Sequence, residues 1–305
     1  MEININDINS HIRKNAAEFV SAVDENYFAQ LRDIARHIYE GRFSRPVVLL
    51  SGPSGSGKTT TAHFLESFLD EMGVETHTLS MDNYFHSLLP EEKEAARDGK
   101  IDLESPSRVD IEFLNSQLKD IIDCKPVDLP VYDFLNSCRN PSGNIFTRKP
   151  DELVIVEGIH ALNPDVITIP DSNTVKIYIS VRTRVVCENH MIHPENVRLL
   201  RRMIRDNIGR GRTFSQTCTA AAHVKRGEDL YIMPYKHRSD FDIDTFIPYE
   251  LGIYKTFFST QLENIDSHGE MAEILCLLTP ALPLKEAIVP EMSLIREFIG
   301  GIKID

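Results

Sequence analysis

A chain of 305 residues with 42 % hydrophobic content is long enough for one large α/β core or two small ones, and too apolar for a disordered polymer. Its formal charge of −13 argues against broad binding to nucleic acid or an anionic membrane, while leaving room for a local basic site. The five cysteines lie far apart with no C-x-x-C pair, which fits a reducing compartment better than a disulfide framework or a thiolate zinc site.

The opening MEININDINSHIRK is acidic and polar, and no apolar run approaches a membrane span, so the expected location is cytoplasmic. Residues 7–23 and 27–39 read as two helices, with Asp24 placed to cap the second and Gly41 to end it. They form an N-terminal extension, 1–44, expected to pack on the core that begins at residue 45.

Residues 46–60, PVVLLSGPSGSGKTT, run from a buried strand into a glycine-rich loop. Gly52, four residues, Gly57, Lys58 and Thr59 match the P-loop spacing, in which backbone N–H groups wrap nucleotide phosphates, lysine reaches the outer ones and the hydroxyl meets Mg²⁺. Gly52, Ser54, Gly55, Ser56, Gly57, Lys58, Thr59 and Thr60 are therefore the expected donor-binding residues. A helix over 60–72 supplies the context that the motif needs.

A strand over 74–80 leads to Asp82, at the carboxyl end of the sheet where ligands of open α/β folds gather. Residues 88–100 read as a solvated, charged connector and 110–122 as an amphipathic helix. A strand over 128–134 is expected to turn at 141–143 and return over 144–148. The apolar run 153–156 ends in Glu157, where P-loop enzymes place a Mg²⁺-directed acid.

Another strand covers 175–181, and residues 198–212 then carry six arginines against one aspartate. Of three readings, a nucleic-acid patch is weakened by the acidic remainder of the chain, a solvated helix face suits some of the six, and in a P-loop protein a lid closing over a polyphosphate is favoured. His190, His193 and Glu195 have a spacing that a metal could use, but they lie on the approach to the lid. Cys138 has no histidine partner in its motif and reads as an inert thiol. A last strand is expected over 244–248, helix from 250 onward, and a short apolar-faced helix in the tail after Pro280, Pro283 and Pro290. The fold class is α/β, a doubly wound parallel sheet with a β-hairpin, an arginine lid at about 184–228 and helical additions at both ends. Its core spans 45–250, and 251–305 extends the same domain.

Taken together, GPSGSGKTT, MDNYF at 81–85, LESPSRVD at 103–110, PVYDFLNSCR at 130–139, VIVEGIHAL at 154–162 and RLLRRMIRDNIGRGR resemble, in order, the motifs of the uridine kinase family within the group that holds phosphoribulokinase. The ending SLIREFIGG also resembles that of bacterial uridine-kinase-like proteins that carry an N-terminal domain related to one in threonyl-tRNA synthetase, a domain expected to be absent here. The resemblance implies ATP- or GTP-dependent phosphorylation of a nucleoside, uridine or cytidine in pyrimidine salvage, with Mg²⁺ as cofactor and Asp82 as general base. Lys58, Arg202, Arg210 and Arg212 would stabilise the phosphoryl group in flight, and Thr59 and Glu157 would position the metal. Phe85, Glu104, Tyr132, Phe134, Ser137, Arg139 and Arg205 would surround the nucleoside. Two positions depart from the family: Glu104 replaces an aspartate, and Ser137 stands where a histidine reads the pyrimidine edge. The expected partners are a nucleoside but neither nucleic acid nor membrane, and a homo-oligomer is allowed. Two alternatives stay open, a kinase for a sugar phosphate or pantothenate-like alcohol and a nucleotide-binding regulatory module.

Overall fold

The computed structural model describes residues 1–97, 100–188, 190–258 and 270–301. Expectations over 98–99, 189, 259–269 and 302–305, including the helix carried on past 258, lie outside the described residues.

The chain opens with a short strand, β1 (Glu2–Asn4), that no periodicity in the sequence announces, and runs into one long helix, α1 (Ile5–Gly41). The break in α1 falls at Asn15 (φ −164°, ψ 97°), whose side chain accepts the N–H of Glu18 at 3.2 Å and so caps the second half. The expected cap, Asp24, is instead buried within that half, accepting from the Tyr249 hydroxyl at 2.7 Å.

Apolar runs give β2 (Val47–Ser51), β6 (Leu153–Glu157) and β7 (Thr174–Ser180), buried along their whole length. Helix α2 (Lys58–Glu71) connects β2 to β3 (Thr76–Ser80). Between β3 and β6 lie α3 (Pro90–Arg97), α4 (Ile111–Ile122) and the hairpin β4 (Val127–Asp133) and β5 (Cys138–Phe146). After β7 come β8 (Arg184–Cys187), β9 (His190–Ile192), α5 (Pro194–Gly209), α6 (Phe214–Tyr231) and β10 (Phe241–Asp244). Helices α7 (Glu250–Phe258), α8 (Glu270–Leu278) and α9 (Arg296–Ile299) complete the chain.

The main sheet has the order β10-β7-β2-β6-β3, and every pair in it is parallel. Two apolar layers cover its faces, one built mainly from α1, α2, α5, α7 and α8, the other from α4 and its neighbours. Such a sheet collects ligands at the carboxyl ends of its strands, where the loops after β2, β3 and β6 meet. A second sheet, β1-β8-β9, pairs the first residues of the chain in parallel with 184–186.

Two boundaries differ from expectation for local reasons. The hairpin turns at 134–137, because the Asp133 carboxylate accepts the N–H groups of Leu135 and Asn136 and Ser137 takes φ +49°. The Pro-Ser-Gly signal at 141–143 makes an irregularity inside β5, with Asp128 accepting from Gly143 N–H at 3.2 Å. The last strand ends at Asp244 rather than beginning there. Its carboxylate accepts from Arg182 N–H, Thr183 Oγ1 and Phe246 N–H, and this turns the chain away from the sheet.

Candidate active site

The glycine-rich loop is shaped by what crowds it. Gly55 and Gly57 hold φ of +78° and +89°, a region that costs other residues strain. At Gly52 a Cβ would fall 2.1 Å from the Ile179 carbonyl oxygen, so only glycine fits. Arg201, fully buried, donates to the Gly55 carbonyl at 3.2 Å and is itself held by Glu250 at 2.7 Å. This residue fixes the loop from behind. Within an arginine-rich run nothing in the sequence singled it out.

Of the loop residues, Ser54 is half-buried, while Ser56 is buried with a hydroxyl that has no hydrogen-bond partner. Lys58 Nζ donates to the Pro53 carbonyl at 3.3 Å, folding the ammonium back over the loop. Thr59 is exposed at the start of α2, and Thr60 is buried with its hydroxyl on Glu297 Oε2 at 2.7 Å.

Three carboxylates converge on Lys58. Asp82 opens a 3₁₀ turn after β3, and burial pushes its carboxyl up against the opposing pull of Lys58 and Arg210. Glu157 ends β6 and accepts from Ser80 Oγ at 2.8 Å. Burial raises it too; Lys58 opposes the rise and the neighbouring Asp82 adds to it. Glu104 is pushed up to about 7 by burial, with Lys58 and Arg202 pulling the other way. Its methylenes pack on α6, where a Cβ at Gly227 would fall 2.3 Å from Glu104 Cβ.

These groups suit a divalent cation. The Thr59 hydroxyl and the Glu157 carboxylate are hard oxygen donors, and Glu157 and Asp82 repel each other in a desolvated crevice that a cation would neutralise.

The acceptor side is aromatic. Phe85 and Tyr132 meet edge to face at 5.8 Å, and Tyr132 and Phe134 at 5.1 Å. Tyr132 is buried, whereas Phe134 is 64 % exposed. The Tyr132 hydroxyl accepts from Arg108 at 3.3 Å. Ser137 is half-buried in the turn, and its carbonyl accepts Leu88 N–H at 2.9 Å. Arg139 donates to Asp110 at 2.8 Å, and Asp110 caps α4 through Phe113 N–H, so the guanidinium is engaged in holding the hairpin to that helix.

The six arginines divide by partner. Arg198 is bound by both oxygens of Glu228 and Arg201 by Glu250, and both are buried. Arg202 is buried near Gly55, and burial together with Arg198 and Arg205 lowers it to about 10. Arg205, Arg210 and Arg212 gather on Asp206 at 3.3, 3.5 and 3.8 Å. Within the span read as a lid, α5 is therefore anchored in the core through Val197, Leu200, Met203 and Ile204, and Arg210 and Arg212, just past its end, are the exposed arginines. His193 caps α5 through Glu195 N–H, and Glu195 pairs with Lys225 at 2.5 Å.

Two further residues were missed. His160, beside the Tyr231 ring, is buried and lowered to about 4 by that burial, hence neutral at pH 7. Glu297 reaches the loop from the tail; it lies within SLIREFIGG, whose resemblance assigned it no role.

The family model described as phosphoribulokinase / uridine kinase matches residues 47–248. A uridine kinase of Lactobacillus helveticus is 30 % identical over 205 residues, which is 66 % of this chain and 87 % of that one. A uridine kinase of Borreliella burgdorferi is 29 % identical over 224 residues, covering 73 % and 97 %. Among solved structures, a kinase assigned to fructose transport in Silicibacter sp. TM1040 shares the fold with a TM-score of 0.51 at 16 % identity, over 70 % of this chain and 98 % of its own. With its phosphate loop, strand-end acids and arginine helix in this order on a parallel sheet, the chain belongs to the phosphoribulokinase/uridine kinase family of P-loop phosphotransferases.

Proposed function

We propose that the protein transfers the terminal phosphoryl group of ATP or GTP to the 5′-hydroxyl of a pyrimidine nucleoside, uridine or cytidine. The observation that carries this reading is the joining of two half-sites: Asp82 lies close enough to Lys58 and Arg210 for both to act on its charge, and Phe85 follows it by three residues into the Tyr132–Phe134 cluster. A planar base suits such a cluster better than a sugar phosphate does.

In this reading the loop amides and Lys58 hold the donor, and Mg²⁺, held by Thr59 and Glu157, supplies charge neutralisation on the phosphates. Asp82 accepts the proton of the attacking hydroxyl. Its raised pKa brings it closer to the acidity of a useful base than a surface aspartate would be. Glu104, ionised above about pH 7, accepts from the ribose hydroxyls. Arg202, buried beside the loop, and Arg210 and Arg212, leaving Asp206, stabilise the transferring group, while Arg205 helps hold the ribose. Little covalent chemistry is asked of the protein; positioning and charge do the rest.

The test is ADP release by purified protein with Mg²⁺-ATP across a panel of nucleosides, sugar phosphates and small alcohols. Nucleoside-dependent release supports the reading. Stimulation only by a sugar phosphate or a simple alcohol, or by nothing, overturns it.

A further inference from the structure

At the first turn of α2, two donors of Thr60 face a single acceptor from the far end of the chain. The Thr60 hydroxyl donates to Glu297 Oε2 at 2.7 Å, and its backbone N–H points at the same oxygen at 3.4 Å. Thr60 follows Lys58 and Thr59, so it belongs to the set of groups through which a P-loop cradles the inner phosphates of a nucleotide. A carboxylate oxygen there makes the same demand as a phosphate oxygen, an anion at a helix N-terminus taking charge-assisted hydrogen bonds.

The segment that carries Glu297 is firmly seated. Ser293, Leu294, Ile295, Phe298 and Ile299 are buried, the Phe298 ring takes the Arg201 guanidinium at 5.0 Å, and a Cβ on Gly57 would fall 2.7 Å from Leu294 Cδ1. Glu297 itself is half-buried. Its side chain can turn to solvent while the backbone stays packed, so what can be exchanged is one carboxylate rather than a whole segment. The same carboxylate acts unfavourably on the charge of Glu157, so its departure also relieves the metal-directed acid.

We propose that Glu297 is a built-in competitor for the donor nucleotide: its carboxylate and the donor's inner phosphate share the N–H and hydroxyl of Thr60, and binding of one excludes the other. The inference rests on the loop being the donor site and not on the identity of the acceptor. It makes the tail a brake on donor affinity, set by the strength of one charge-assisted contact.

The experiment is titration calorimetry of the full chain with Mg²⁺-ADP, without acceptor, for the native protein, Glu297→Gln and Glu297→Ala. The expected result is tighter binding in both variants, about tenfold for alanine and less for glutamine, which keeps a weaker acceptor. Unchanged or weaker binding overturns the proposal, and a lowered melting temperature with unmoved affinity would reduce Glu297 to a helix cap. Should alanine prevent folding, glutamine alone decides, because it preserves shape and removes charge. If the native protein and the folded variants all fail to bind Mg²⁺-ADP, the donor-site reading falls with the proposal. A protein that binds Mg²⁺-ADP yet shows no nucleoside-dependent turnover has lost only the acceptor reading.

Discussion

Asp82 and Glu104 are both carboxylates facing Lys58, and burial raises both, Glu104 to about 7. Replacing Asp82 with asparagine keeps the shape and removes the proposed base. Steady-state kinetics should show kcat reduced by about 10²–10⁴ with Mg²⁺-ATP affinity nearly unchanged; equal loss of both would point to a folding role instead. Glu104 titrates at about 7, so if its ionised form holds the sugar, the nucleoside KM should fall as pH rises through 7. Glu104→Gln should raise KM and flatten that limb of the profile. The P-loop and the acids after β3 and β6 could be located because each sits in a few adjacent residues, whereas the aromatic pair entered only through the family resemblance. Arg201 and Glu297 could not be located, since their partners, Glu250 and Thr60, lie 49 and 237 positions away.

At the scale of elements, the arginine run divides between two settings, buried pairs within α5 and a shared acid near its end. Arg198 and Arg201 point into the protein and pair with Glu228 and Glu250, whereas Arg205, Arg210 and Arg212 share Asp206 near the helix end. Arg201→Met fills similar volume but strands Glu250 in a dry pocket. Denaturant unfolding should register a loss of about 3–5 kcal/mol, and the loop that Arg201 supports should bind donor more weakly. Composition cannot separate the two settings, because a helix run of arginines reads the same whether its partners are buried acids or phosphates. Boundaries erred for a related reason. Asn15, Asp133 and Asp244 each use a side chain to cap or turn the backbone, and such local bonds compete with the periodicity on which strands and helices are assigned.

For the whole molecule, one buried node joins the beginning, the core and the end of the chain. Asp24 of α1 accepts from the Tyr249 hydroxyl at 2.7 Å, and Ser293 of the tail lies 2.7 Å from that hydroxyl. Burial lifts Asp24 from 3.8 to about 6, and the two hydrogen bonds offset this only in part. Between those values the folded protein holds more protons than the unfolded chain, so this group makes stability fall as pH rises from about 4 to 6, with the full cost present above 6. Asp24→Asn keeps an acceptor and cannot ionise. Melting temperature measured against pH should show the variant flatter across that window and more stable at pH 7, by at most about 3 kcal/mol; a less stable variant at pH 7 would mean that the ionised form is needed.

The pairing of Glu2–Asn4 with 184–186 sets an order of assembly. These strands are parallel and some 180 residues apart in sequence, and β1 gains a neighbour only when β8 exists. During synthesis at 5–20 residues per second, the opening segment therefore waits roughly 10–40 s before its partner has been made. Until then α1 has no strand to anchor its leading end, so this corner is expected to complete only after residues 184–186 have been made.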